Sequence, residues 1–248
     1  MRKSLLLAFV SIFAVTSVAL AATGEKVPRT TLVQAVDRTN RAPSLRYVLE
    51  ISVTRPDSVA MSLNVHGIRG RGSLFIHVKA MAGALAGPQQ SAMIDGPFLY
   101  EGSPNGVAIA GKVRWLRLPI ARIGSRARPI ETIHNLSPAP LLHVLDEWSG
   151  AKRRSSNGSF HGTVAFDDPI VQTALAGMDG GIQFRNVHFT ARVGRDGYVH
   201  TITLRGRTAD GTRTITVTAH LFAFDRPVTP RIPGEGTFMD QKLIGLAE

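Results

Sequence analysis

The chain has 248 residues, 44% of them hydrophobic and 19% charged, and its 29 Lys and Arg against 18 Asp and Glu give a formal net charge of +11. It contains no cysteine, which excludes disulfides, thiolate metal sites, a cysteine nucleophile and a lipid-modified cysteine. The positive charge favours an anionic partner, although a surface that is basic only for solubility explains it equally well.

The first residues have the pattern of a secretory signal. Arg2 and Lys3 precede an apolar run, and small residues suited to signal peptidase end at Ala21. The run is shorter than the about 20 residues that span a bilayer comfortably, so retention as an anchor is the alternative to cleavage. We predict a signal peptide at 1–21 and a single domain at 22–248, exported to the periplasmic or extracellular space of the cell envelope and soluble after cleavage.

One helix and three strands are predicted next. Thr30 and Thr31 can cap an amphipathic helix that ends near Arg41. Three strands between Leu45 and Met81, joined by turn residues, predict an antiparallel meander. Alternate residues of these strands are apolar and share one face: Leu45, Tyr47, Leu49, Ile51 and Val53; Val59, Met61, Leu63 and Val65; Leu74, Ile76, Val78 and Ala80. This face is either a sealed core or the wall of a ligand site.

An arginine-rich region follows the meander. Shorter strands are predicted at 91–94, 98–100 and 107–118, and the irregular stretch 120–132 is predicted to be an exposed loop. Five arginines occur here with no acid between Glu101 and Glu131: Arg114, Arg117, Arg122, Arg126 and Arg128. In an exported chain we expect them to contact anionic head groups or a membrane surface, and we expect no nucleic acid partner.

Two apolar helices and a final set of strands complete the chain. The first helix is predicted to start at Ser137-Pro138 and to include Leu141, Leu142, Val144, Leu145 and Trp148. A second is predicted from Asp168-Pro169 to Gly177 by the same capping logic. Strands at 182–193, 198–206 and 212–224 are separated by turns that contain Asp-Gly, a strong hairpin signal.

No catalytic or metal-binding pattern is present in the sequence. The eight histidines lack HExxH-type spacing, and most are predicted to lie on strand faces opposite the apolar residues. His143, on an apolar helix, is expected to be buried. No Gly-x-Ser-x-Gly and no phosphate-binding glycine loop occur, and the paired acids fit a helix cap at Asp168 and a solvated helix face at Asp146. We predict no catalytic residue, no metal, no cofactor and no enzymatic activity.

Several stretches, taken in order, resemble the LolA/LppX class of lipoprotein-carrier-like proteins. They are the Gly-Lys-Val-Arg-Trp strand at 111–118, the proline-started helix at 137–145, the late hairpin at 187–198, and the closing strand and proline-bearing tail at 222–233. The resemblance implies an α+β fold: a strongly curved antiparallel sheet, or incomplete β-barrel, with helices closing a concave apolar face that takes acyl chains. Many relatives carry a lipidated cysteine after the signal where this chain has Ala22, which fits a soluble carrier that we expect to be a monomer.

The expected function is non-catalytic binding of a lipid or a lipidated protein. The residues predicted to line the cavity are Tyr47, Leu49, Ile51, Met61, Leu63, Ile76, Leu142, Leu145, Trp148 and Phe189. An envelope sensor or protein-interaction module of the same fold is the alternative, and a hydrolase of the envelope is a third. A filled interior in place of a cavity would leave the same strands as ordinary core.

Overall fold

A computed structural model describes residues 31–82, 90–102, 115–123, 133–147, 153–154, 158–164, 184–227 and 238–240. The predicted signal peptide and the predicted helix at 168–177 lie outside these residues. Twelve strands of the described chain form one sheet. They are β1 (Leu45–Arg55), β2 (Ser58–Gly70), β3 (Ser73–Ala82), β4 (Gln90–Asp95), β5 (Phe98–Gly102), β6 (Trp115–Pro119), β7 (Arg153–Arg154), β8 (Ser159–Val164), β9 (Phe184–Val193), β10 (Val199–Thr208), β11 (Thr214–Phe222) and β12 (Phe238–Asp240).

The sheet consists of two meanders joined side by side. The strand order is β12-β6-β5-β4-β3-β2-β1-β11-β10-β9-β8-β7, so β1 pairs with β2 on one side and with β11 on the other. Every neighbouring pair is antiparallel except β12 with β6. Within the described residues β7 and β12 each have one neighbour, and the sheet is open.

Helices of the described residues that accompany the sheet include α1 (Leu32–Arg41), α2 (Ile120–Ile123) and α3 (Ala139–Glu147). Buried side chains of α1 and α3 belong to the same apolar cluster as one face of the sheet, and the two helices pack against each other. We call this the apolar face and the opposite one the outer face. None of the helices in the described ranges has the length and apolar character needed to cross a bilayer.

The alternation in β1 confirms the predicted apolar face. Leu45, Tyr47, Leu49, Ile51 and Val53 are buried, while the residues between them are exposed or half-buried. The same face continues across β11, β10 and β9, where the buried members are Ile215, Val217, Ala219, Leu221, Ile202, Leu204, Val187, Phe189 and Ala191. Because side chains alternate with a period of two, one buried face requires a fixed register across these pairs.

Three sequence-based expectations are wrong. Val59 does not join the apolar face, because a register shift after Val53 places it opposite Thr54 and leaves 53% of it exposed. His143 is exposed, since it points away from the buried side of α3. Residues 120–123 form α2 in place of a loop, and Ile120 packs against the core.

Gly67 in β2 is required by the ring of Tyr47 on the neighbouring strand. The two residues are register partners, and a Cβ added at Gly67 would lie 1.9 Å from Cζ of Tyr47. The aromatic ring therefore occupies the space that any larger residue at position 67 would need. This close approach fixes the ring beneath the segment that leads into α3.

We expect Gly67→Ala to lower the free energy of unfolding by about 1–3 kcal/mol, because the added methyl group must displace the ring. The ring tip is absent in Tyr47→Leu, so in that background Gly67→Ala should cost less than about 0.5 kcal/mol. Urea denaturation of the four proteins in this double-mutant cycle measures the difference. If Gly67→Ala lowers the free energy of unfolding equally in both backgrounds, the contact between position 67 and the Tyr47 ring is contradicted.

Candidate functional site

The structure brings most of the predicted cavity residues together on the apolar face and covers them. Seven of them are no more than 2% exposed and belong to one cluster: Tyr47, Leu49, Ile51, Ile76, Leu142, Leu145 and Phe189. Leu63 is partly buried against the same cluster. The side chain of Met61 and all of Trp148 lie outside the described residues. Buried residues of α1 and α3 belong to the same cluster.

Helix α1 begins with a capping box. The backbone N–H of Gln34 donates to Oγ1 of Thr31 at 3.2 Å, and the Thr31 N–H donates to Oε1 of Gln34 at 3.0 Å, which satisfies two donors at the helix start. One side of the helix is apolar and buried, with Leu32, Ala35 and Val36. The amphipathic stripe thus directs α1 onto the sheet.

The C-terminal end of α1 is held by polar contacts with the sheet. Thr39 is fully buried, and its Oγ1 donates to the Ala35 carbonyl at 2.7 Å while accepting from the Val199 N–H at 2.9 Å. Nη2 of Arg69 donates to the carbonyl oxygens of Thr39 at 2.8 Å, Asn40 at 3.3 Å and Ala42 at 3.4 Å. A cation at this position also complements the negative end of the helix dipole. Burial lowers the pKa of the Arg69 guanidinium.

Helix α3 begins at a turn that is tied to β1. Ser137 Oγ donates to the His134 carbonyl at 2.6 Å and accepts from the Ala139 N–H at 3.3 Å, as the predicted Ser-Pro start requires. The hydroxyl of Tyr47 donates to the Leu136 carbonyl at 3.2 Å. Burial raises the pKa of Tyr47, and nearby Arg69 opposes that shift. The neutral hydroxyl is therefore a donor at every physiological pH.

Glu101 is a carboxyl group at the β5 end of the apolar face. It stands opposite Ala92 and Leu116 in register, and Ala92 and the neighbouring Ile76 both belong to the apolar packing. Burial raises the pKa of Glu101, because the charged form loses water contacts. The sequence patterns did not single out this residue.

An open groove of about 530 Å³ lies beside the C-terminal end of α1. It is lined by Asp37, Arg38, Arg41, Ala42, Pro43, Tyr198 and Asp225. The Arg38 guanidinium carbon lies 4.7 Å from the Tyr198 ring centroid, and that ring stacks on Phe224 at 4.3 Å. The Tyr198 hydroxyl donates to the Asp225 carboxylate. Residues separated by some 160–190 positions meet here, so no local pattern could have indicated the groove.

Of the five arginines predicted to contact head groups, Arg117 is the one whose side chain the structure describes. Arg117 lies in β6, half-buried, with its guanidinium carbon 5.0 Å from the Phe98 ring centroid. Arg122 belongs to α2, but its side chain lies outside the described residues, as do Arg114, Arg126 and Arg128 entirely. Across the described ranges, no three His, Asp or Glu side chains lie close enough together to hold a metal ion.

No family model and no curated protein matches the chain. Among solved structures it is similar to a LolA superfamily protein from Nitrosomonas europaea, with 9% identity, a TM-score of 0.28, and 80% of this chain and 93% of that one covered. It is also similar to a DUF1329 family protein from Desulfovibrio piger, with 9% identity, a TM-score of 0.32 and coverages of 80% and 92%. A third is a domain described as outer membrane lipoprotein-sorting from Vibrio parahaemolyticus, with 9% identity, a TM-score of 0.30 and coverages of 80% and 94%. At these values the likeness transfers neither a family nor a function to this chain.

Replacement of Glu101 by Gln should stabilise the protein at neutral pH. The folded pKa is raised above 4.5, so the folded wild type binds its proton more tightly than the unfolded chain does. The resulting stabilisation is complete below pH 4.5 and is lost as pH rises through the folded pKa. We expect Glu101→Gln to unfold at higher urea concentration than wild type at pH 7, with the difference vanishing near pH 4. Glu50→Gln, at an exposed position of the outer face, is the matched control.

Proposed function

We propose that this protein is a non-catalytic carrier of the cell envelope that binds acyl chains of a lipid or a lipidated protein between its apolar face and α3. The observation that carries the proposal is the way this face is covered. A sheet of twelve strands has its apolar side closed by two helices of ten and nine residues, which are small enough to move as units. The packed state described above is then the closed, cargo-free form.

The polar contacts indicate which helix moves. The C-terminal end of α1 is held by hydrogen bonds from Arg69 and by the hydrogen bond between Thr39 and Val199. The segment before α3 is tied to β1 by the Tyr47–Leu136 hydrogen bond, and α3 itself contributes Leu141, Leu142, Val144 and Leu145 to the apolar cluster. Apolar contacts are not directional, so an acyl chain can replace those of Leu141, Leu142, Val144 and Leu145. Helix α1 would serve as the fixed support and α3 as the lid.

Energetics favour acyl cargo over polar cargo. Each buried methylene contributes about 0.8 kcal/mol, so a chain of roughly ten methylenes could contribute about 8 kcal/mol. This gain offsets the cost of separating α3 from the strands. A polar ligand would gain little binding free energy on the apolar face, because the described residues of this face provide few hydrogen-bonding groups besides Tyr47 and Glu101.

Native mass spectrometry and lipid extraction of protein purified from its own envelope test the proposal directly. We expect a bound species with an acyl chain, and uptake of a fluorescent fatty acyl probe by the emptied protein. Protein that is reproducibly empty and takes up no probe would overturn the proposal. Retention of one stoichiometric envelope protein without any lipid would favour an interaction module instead.

Tyr47→Phe should tighten apparent binding of the acyl probe about fivefold. The variant loses the hydrogen bond to Leu136, and a typical bond of this kind contributes about 1 kcal/mol to the closed state. A more populated open state raises apparent affinity in proportion. Fluorescence titration measures the affinity, and urea denaturation measures the accompanying loss of stability.

Thr203→Val is the matched control. It removes a hydroxyl contact of similar strength, Thr203 Oγ1 to Thr218 Oγ1 at 3.3 Å, on the outer face away from both helices. We expect it to lower stability without tightening probe binding. If Thr203→Val and Tyr47→Phe change probe affinity equally, opening at α3 does not control access.

A further inference from the structure

The outer face of β8 to β11 is basic and open. Six cationic or imidazole side chains are exposed on it: Arg192, Arg205, Arg207, His161, His188 and His220. The positions between them carry hydroxyl groups, those of Thr163, Thr190, Thr201, Thr203, Thr214, Thr216 and Thr218. No acid occurs among the described outer-face positions of these four strands. We call this surface the basic face.

Strand register places these side chains on one continuous surface. Arg205 stands opposite His188 on one side and Thr216 on the other. Arg192 stands opposite Thr201, which in turn stands opposite His220. With strands about 4.8 Å apart and about 6.8 Å between alternate residues, the cations are distributed over the face and not clustered at one point. Such an arrangement suits a surface of many anionic groups better than one small anion.

The basic face is separate from the covered apolar face. Helices α1 and α3 pack on the other side of the same strands, and the exposure of the arginines shows that water reaches this side. Guanidinium groups bind phosphate oxygens in a forked geometry, and threonine hydroxyls can donate to the same oxygens. The chemistry of the face therefore complements phosphate.

An exposed aromatic side chain on the same face distinguishes a bilayer from a soluble polyanion. Phe222 at the end of β11 is 43% exposed and stands opposite Arg46, which is itself exposed. Aromatic residues beside cations are typical of membrane–water interfaces, where the ring enters the head-group region while the cations contact phosphate. A hydrophilic polymer offers no such environment for Phe222.

We propose that the basic face docks the protein on the surface of a bilayer that contains anionic phospholipid, with Phe222 entering the head-group region. The surface does not depend on acyl cargo, so it can hold the protein at a membrane whether the apolar face is empty or occupied. It also differs from the arginine-rich region at 114–128 that the sequence patterns indicated.

Co-sedimentation of the cargo-free protein with vesicles tests this docking. We compare vesicles of phosphatidylcholine alone with vesicles that contain roughly 30% phosphatidylglycerol. Binding should require the anionic lipid and should weaken as salt increases. The triple variant Arg192→Glu, Arg205→Glu and Arg207→Glu should lower partitioning at least tenfold.

The matched control changes the net charge by the same amount elsewhere. Arg55, Arg71 and Arg195 are exposed at turns, and their replacement by Glu should lower partitioning less than about twofold. Circular dichroism and urea denaturation establish that both triple variants are folded. A second set with Gln at 192, 205 and 207 should show a smaller loss in the same direction.

Three results would overturn the proposal. One is equal loss of binding in the two Glu triple variants, which would indicate attraction by net charge alone. Another is loss of binding only when the arginines at 122, 126 and 128 are replaced. The third concerns Phe222→Ser, which should weaken vesicle binding several-fold and leave heparin binding unchanged. If Phe222→Ser changes neither vesicle binding nor heparin binding, and heparin displaces the protein from vesicles, the basic face binds soluble polyanions and not a bilayer.

Discussion

The apolar face cannot be covered by the strands that form it, and the rest of the structure depends on this constraint. The twelve strands of the described sheet remain open at β7 and β12, so closure onto itself does not bury the face. Buried side chains of α1 and α3 join the apolar cluster of this face. Tyr47 connects the parts, because its ring lies on Gly67 of β2 and its hydroxyl reaches the carbonyl of Leu136 before α3.

The two covering helices are held in different ways. Helix α1 ends at a set of directional contacts to Arg69 and Val199. Ser44, which precedes β1, donates to the carbonyl of Arg226, which follows β11. Helix α3 contributes mainly apolar side chains to the shared cluster. Directional contacts fix a position, whereas apolar packing tolerates replacement by another apolar surface. A fixed support and an exchangeable cover can therefore exist on one face.

Sequence patterns predicted β1 to β3 and β9 to β11 because these strands alternate over many residues, and β1 carries the signal from Leu45 to Val53 without interruption. They gave no bounds for β7 or β8, which are short. They also predicted α1 and α3, whose Thr31 and Ser137 caps are local features. They did not predict the features that depend on strand register or on contacts between residues far apart in the chain. The shift at Val59 comes from pairing with β1, and the parallel contact of β12 with β6 joins residues far apart in the chain. Of the predicted cavity residues, those with described side chains do gather in one cluster with residues of α1 and α3.

The alternation of side chains gives one set of strands two independent surfaces. In β10, Ile202 and Leu204 face the helices while Arg205 and Arg207 face outward. A displacement of α3 would change the apolar face and leave strand pairing, and hence the spacing of the outward arginines, intact. Docking through the basic face would thus be compatible with both the closed and the open state of the lid. The separation of the apolar face from the basic face follows from the two-residue period of a strand. Successive side chains point to opposite sides, so a strand that buries one set of side chains presents the other set on the opposite side of the sheet.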